Sequence, residues 1–411
     1  MDFNKKRWIY LCLSMLIVIC SGIGYTWSVF QGPLIEHFHW DLSAASLIFT
    51  VQIAMSTLTP ILFGRYQTRL GTRNYLLCGA LVYGLGLIGT GYSTHFFTFL
   101  LSFSVGVGAG IGMLYPCLMG YGVRIMPKRR GLATGLLAGS YSVGALIWAP
   151  SAVSLQGLYG IMAVYKIFGT AFVIVILISA WFIRDPDESD SANHSRKLNT
   201  VAAPKIIERD WRAMLRTPKF YMLLSLFSLG TGSGLMIIGH ASAILVENLH
   251  ILDSEAAFLV GLISISNALG PIVWGIVSDH IGRFKVLVSL FFIVFLSMLT
   301  LYSAHSSVVF VAAIITTCFA YGGFVALIAP ATADVFGSRH VNVNYGFLYT
   351  SFGIGGIIGP QIAAITKNST GTYSLAFLII SGCCIVGATL AFLIFKPEKS
   401  VANLPSQTIN R

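Results

Sequence analysis

Apolar residues in this chain run on for about twenty positions at a time, the length a helix needs to cross a bilayer, and such runs recur from end to end. Twelve can be drawn: 8–34, 43–67, 74–93, 96–125, 131–157, 161–183, 219–248, 255–279, 284–304, 307–336, 344–366 and 372–395. They are continuous rather than alternating, which excludes a β-barrel and predicts an all-α membrane protein of twelve transmembrane helices. The one long polar segment is 184–218, opening Arg184-Asp185-Pro186-Asp187-Glu188. A short amphipathic piece near Asp210–Leu215 is expected to lie on the membrane surface.

The pattern also repeats. Gly64-Arg65-Tyr66-Gln67-Thr68-Arg69-Leu70-Gly71-Thr72-Arg73 closes the second run, and Gly275-Ile276-Val277-Ser278-Asp279-His280-Ile281-Gly282-Arg283-Phe284 closes the eighth. Pro116 in the fourth run pairs with Pro330 in the tenth, each after a glycine-rich stretch. Two halves of six helices follow: 1–183, then the linker 184–218, then 219–395, with a tail at 396–411. That is the layout of a secondary transporter with its site between the halves. Gly106, Gly108, Gly110 and Gly112 imitate a phosphate loop, but inside an apolar run they read as close helix contact. Gly131, Gly135 and Gly139 on span five, and Gly355 and Gly359 on span eleven, put glycine on one helix face. Pro150 and Pro360 permit bending there.

Composition agrees: 55% of residues are hydrophobic and 10% charged, too apolar for a soluble globular chain. The net charge of +11 suggests nucleic acid until it is mapped onto the spans. All of the 26 basic residues except Lys166 and Lys367 fall on one side, whereas Glu36, Asp41, Glu247, Asp253 and Glu255 face the other. The positive-inside rule makes the basic side cytoplasmic, with both termini and the linker there, and no nucleic-acid partner is expected. The first run is too long for a signal peptide and ends in Tyr25, Trp27 and Phe30, so it is read as span one. The seven cysteines lack metal-ligand spacing and read as small packing residues. No cofactor is called for. No nucleophile, metal cluster or facing carboxylate pair supports an enzyme.

Ser21-Gly22-Ile23-Gly24-Tyr25-Thr26-Trp27-Ser28 resembles the first-helix signature of the oxalate/formate antiporter family. That family is a bacterial branch of the major facilitator superfamily, related to monocarboxylate transporters. Arg124-Ile125-Met126-Pro127-Lys128-Arg129-Arg130-Gly131-Leu132-Ala133-Thr134-Gly135 resembles its loop before span five, and Asn344-Tyr345-Gly346-Phe347 the start of its span eleven. The resemblance covers essentially the whole chain and implies the major facilitator fold. It also implies a cavity lined by Tyr25, Tyr115, Tyr141 and Tyr321, with Asn267 a polar position one turn before a family arginine on span eight. Gapless matching puts Pro271 at that arginine and Phe352 at the lysine that the oxalate carrier adds on span eleven. A dicarboxylate in a low-dielectric cavity without a fixed cation loses most of its anchoring, so oxalate is not the expected substrate.

The residues carry their own argument. Mid-membrane tyrosines need a partner for the hydroxyl, either a wet cavity or a backbone acceptor between packed helices. Pro271 lacks the N–H that would bond the Asn267 carbonyl, leaving that carbonyl and the Asn267 amide for substrate, for Ser266 or for water. His240 is the only histidine within an expected span, a candidate for substrate contact or proton coupling, or else a neutral imidazole bonded to span one or eleven. Lys166 lies near the outer face and snorkels to headgroups. Asp279 and Arg283 are read as a gating latch reaching span eleven or Arg339. Thr68 stands at the matching acid position of the first half, which weakens that side unless Asp334 compensates.

The expected function is secondary transport of a small, monocarboxylate-like organic anion by alternating access in the cell inner membrane. Its partners are that small molecule, membrane lipid and, as a candidate coupling ion, protons; a monomer holds the complete pathway. The alternative is an exporter of an apolar or amphipathic compound. A sensor would need a large soluble domain, and the polar segment 184–218 is too short for one. The charge map predicts that reporters fused at Ser195 and Arg411 report a cytoplasmic location; an extracellular signal at either overturns the twelve-span reading.

Overall fold

The computed structural model describes residues 3–185, 208–249, 251, 253–304 and 306–395. The expected linker stretch 186–207 and the tail 396–411 lie outside them. The described chain is helical throughout, and eleven helices are long and apolar enough to cross a membrane. One of these, Leu42–Thr90, holds two spans joined at Gly71 (φ 76°, ψ 163°), so twelve segments cross. Gly282 occupies the same place in the second repeat, with φ 92° between Asp253–Ile281 and Arg283–Ser303. A side chain at either position would be strained at positive φ, which is why both copies of the loop carry glycine there.

The remaining spans follow the apolar runs closely. Span one is Phe3–Ser21, a 3-10 stretch Gly22–Thr26, and Trp27–Phe38. Span four opens as Phe96–Phe99, loosens into a π-helical stretch Leu100–Val107 and continues as Gly108–Ile125. Spans five and six are Arg130–Tyr159 and Ile161–Phe182. The short helix Trp211–Leu215 occupies the expected amphipathic site, its first turn capped by Asp210, which accepts from the Ala213 N–H at 2.9 Å. Spans seven and ten are Pro218–Leu249 and Ser307–Phe336. Span eleven breaks at Tyr349 into Val341–Leu348 and Thr350–Thr370, and span twelve is Ser374–Phe395.

Glycine sets how closely the spans pack. Within the halves, Gly110 lies on Tyr83, Gly234 on Tyr321 and Gly359 on Gly232. Between the halves, span five crosses span eight backbone to backbone. A methyl on Gly131 would collide with Gly275, one on Gly135 with Pro271, and one on Gly139 with Ala268. Further along span five, Gly144 turns away to Ile19 and Gly22 of its own half. Span two repeats the arrangement, with Pro60 against Gly346 and Thr57 against Gly353 of span eleven. The glycine contacts that join span five to span eight thus run from Gly131 to Gly139, toward the linker face. Outward-pointing residues such as Leu85, Leu101, Ile178 and Phe292 form the exposed apolar surface that lipid would cover.

Candidate functional site

Aromatic side chains from both halves converge. Tyr25 sits in the 3-10 break of span one, and its hydroxyl lies 3.3 Å from that of Tyr321 on span ten. The Tyr25 ring meets Tyr141 of span five edge-on at 4.7 Å, and Tyr141 meets Tyr115 of span four at 5.4 Å. Gly24 and Gly234 stand beside Tyr141 and Tyr321, leaving room for the rings. Four of the expected residues thus form one cluster.

A fifth aromatic belongs with them that sequence reasoning missed. Tyr349, at the break in span eleven, lies 5.6 Å from Tyr115 and stacks on Phe352 at 5.5 Å with planes 2° apart. The available signal was its spacing, three residues before Phe352 and four after Tyr345, on one helix face. Tyr115, Tyr321, Tyr349 and Phe352 are buried, while Tyr25 and Tyr141 are half-buried. The cluster presents hydroxyls and ring faces.

Pro271 sits against Gly322 of span ten on one side and Gly135 of span five on the other. Ser266 donates to the Ile315 carbonyl at 2.9 Å, so its proton does not serve the Asn267 carbonyl left free by the proline. Asn267 itself is half-buried one turn away. His240 stands apart. Its ring lies 5.8 Å from Tyr373 and its Nδ1 3.4 Å from the Met236 carbonyl of its own helix, not against span one or eleven. Near it, Lys367 pairs with Glu247 and lies over the Tyr373 ring. Burial, and after it the Glu247 carboxylate, raises the Tyr373 phenol above its ordinary pKa. Lys166 lies 4.0 Å over the Tyr92 ring.

Asp279 and Arg283 form the expected ion pair at 2.7 Å, but with other partners. The Asp279 carboxylate accepts from the N–H groups of Gly131 and Leu132 at 2.9 and 2.8 Å, capping span five. Arg283 also reaches Asp334 (3.4 Å), which takes Arg130 at 2.9 Å. The expectation of a contact with span eleven or Arg339 is corrected: the glycine crossing delivers Asp279 to the first turn of span five instead. Asp334 likewise joins this latch rather than compensating at Thr68.

These features coincide with what the chain resembles. The family model of the Major Facilitator Superfamily matches residues 12–241 and 225–410, and the chain belongs to that superfamily, whose members are transporters and not enzymes. It is 28% identical to an uncharacterized MFS-type transporter, YhjX, of Escherichia coli, over 87% of each chain. It is 27% identical to the oxalate:formate antiporter of Oxalobacter formigenes, covering 97% of this chain and 95% of that one. Monocarboxylate transporter 12 of Rattus norvegicus shares 22% over 93% of this chain and 84% of its own. The solved structure of FucP, a Major Facilitator Superfamily transporter in the outward conformation, superposes with TM-score 0.74 at 15% identity, over 94% of this chain and 98% of that one. The fold is shared.

The latch is nearly buried, with side-chain exposures of 11% for Arg283 and 8% for Asp279, so its bonds are poorly screened. Asp279→Asn removes the charge that caps span five, at about 1.5–3 kcal/mol for a charge-assisted bond. The linker-face ends of the halves should separate more often. A cysteine replacing Ile272, which packs on Gly135 and Gly139, should then react roughly ten- to hundredfold faster with a water-soluble maleimide. An unchanged rate would show that the latch adds nothing to closure.

Proposed function

We propose that this transporter carries a small, monocarboxylate-like organic anion across the cell inner membrane by alternating access. In this reading the linker face is cytoplasmic, the aromatic cluster of Tyr25, Tyr115, Tyr141, Tyr321 and Tyr349 binds substrate, and the rocking halves expose it to each side in turn. The observation that carries it is the meeting of the Tyr25 and Tyr321 hydroxyls at 3.3 Å, one from each half. A substrate seated there touches both halves at once and can bias their relative position, as coupling requires. The likeness to an oxalate:formate antiporter and to a monocarboxylate transporter supports a carboxylate.

The charge of that carboxylate follows from the site. Pro271 and Phe352 supply no fixed cation, whereas five tyrosines supply hydroxyl donors and ring faces. Hydroxyls hold a single carboxylate or a protonated acid; a dianion would lose hydration at two charges with no counter-ion to replace it. Asn267 beside Pro271 offers an amide and a freed carbonyl to the same end, and protons are the coupling ion most compatible with a neutral bound form. His240 is the titrating candidate, acting from beside Tyr373 rather than from within the cluster.

Two experiments in proteoliposomes test this. Tyr25→Phe and Tyr321→Phe remove hydroxyls with little loss of packing, and each should weaken substrate binding by about 0.5–1.5 kcal/mol, roughly two- to tenfold. Normal kinetics in both would make the tyrosines structural. In competition assays at two pH values, lactate or pyruvate should inhibit uptake of a labelled monocarboxylate, and oxalate poorly or not at all. Strong inhibition by oxalate would show that another group, such as charged His240, provides the cation.

A further inference from the structure

The seam formed by spans two, four and eleven is the repeat-related counterpart of the Asp279 latch, and the residues matching Asp279, Arg283 and Asp334 are uncharged there. Thr68 stands where Asp279 does and Thr72 where Arg283 does. Gly120, four residues after Pro116, stands where Asp334 follows Pro330. The Thr68 hydroxyl turns back onto the Arg65 carbonyl at 2.7 Å. What crosses this seam is a neutral side chain. Asn342, its amide oriented to match its neighbours, donates to the Gly120 carbonyl at 3.2 Å and accepts from Gln67 at 2.6 Å and Arg124 at 3.0 Å. A methyl on Gly120 would collide with Asn342, so the glycine permits the contact.

Both ends of the interdomain linker converge on this clasp. At the first end, Asp185 pairs with Arg124 at 2.8 Å, accepts from the Thr72 N–H at 2.8 Å and takes the Thr72 hydroxyl as well. Tyr121 donates to the Arg184 carbonyl at 2.6 Å. At the second end, the Glu208 carboxylate accepts from the N–H groups of Ser338 and Arg339 at 3.3 and 3.0 Å. The Arg209 N–H donates to Phe336, and the Arg209 carbonyl accepts from Asn344, both at 2.9 Å. Trp211 stacks on Phe347 at 5.6 Å with planes 7° apart. These contacts bracket Asn342, from the turn before span eleven to its second helical turn. Arg124 reaches across from one side; the turn carrying Asn342 is fixed from the other.

We propose that the two ends of the linker replace the carboxylate missing at position 68. Asp185 presents Arg124 to Asn342 from the first half, and Glu208 with Trp211 fixes the turn and helix that carry Asn342 in the second. They are positioning residues: none touches the aromatic cluster, and each acts through Arg124 or Asn342. A cavity of about 120 Å³ remains at the seam, bordered among others by Thr68, Arg124, Asp185 and Arg339. With Asp185 replaced by Asn, a carboxylate restored at 68 would face the two arginines. The inference rests on the alternating-access reading.

The test uses the full chain in nanodiscs, native cysteines replaced, with spin labels at exposed Arg69 and Lys285 to read separation of the halves at the linker face. Asp185→Asn combined with Glu208→Gln should raise the open fraction about three- to tenfold. Adding Thr68→Asp to that pair should restore the closed distance, which mere loosening of the fold would not allow. Asp279→Asn serves as a separate opening at the other seam. If Asp279→Asn opens the linker face while the linker pair leaves it closed, or if Thr68→Asp fails to restore closure, the proposal is overturned and the transport reading stands. If neither opens it, both fall. Should the linker pair not fold, Asp185→Asn alone decides: a higher open fraction than the unsubstituted chain supports the proposal, and an unchanged one overturns it.

Discussion

Everything on the linker face depends on spans five and eight meeting backbone to backbone. Gly131 and Gly135 against Gly275 and Pro271 leave no side chain between the helices. Only at that distance does the Asp279 carboxylate reach the first N–H groups of span five. A helix start carries unpaired donors and partial positive charge, so the carboxylate satisfies both needs at once. The same approach brings Arg283 within reach of Asp334, and Asp334 within reach of Arg130, binding four spans from two halves through four side chains. Asp279 and Arg283, the nearly buried members of the network, would be costly to leave unpaired.

The second seam solves the same problem with different chemistry. An amide in place of a carboxylate forms weaker bonds and gives up less hydration when the seam closes. The two sides of the gate therefore differ in strength, and the weaker one is where the linker ends dock. The hydroxyl contact between Tyr25 and Tyr321 also joins the two halves.

The site is unusual in its family resemblance for what it replaces. Pro271 is not simply an arginine lost. It is wedged between Gly322 and Gly135, so the space a long cationic side chain would need is filled by two close helix contacts. Phe352 is likewise committed to stacking on Tyr349. The two replacements thus belong to the packing of the halves.

Much of this was legible in the residues. Run length gave the spans, since a helix in lipid must satisfy its own backbone over a fixed thickness, and the repeated loop gave the halves. Gly71 and Gly282 were visible as the fixed points of that loop, and positive φ at both explains them. Four tyrosines chosen from span position and family likeness do meet. What the sequence did not contain was partnership between helices. Periodicity encodes distances along one helix, but the crossing of spans five and eight decides that Asp279 caps span five rather than meeting Arg339. Tyr349 joins the cluster through its approach to Tyr115 of the other half, which only helix packing sets. His240 looked central because it lies within an apolar run, yet its place along span seven sets it beside Tyr373. The docking of Asp185 and Glu208 on opposite sides of Asn342 joins residues far apart in the chain, and only the tertiary structure could bring them together.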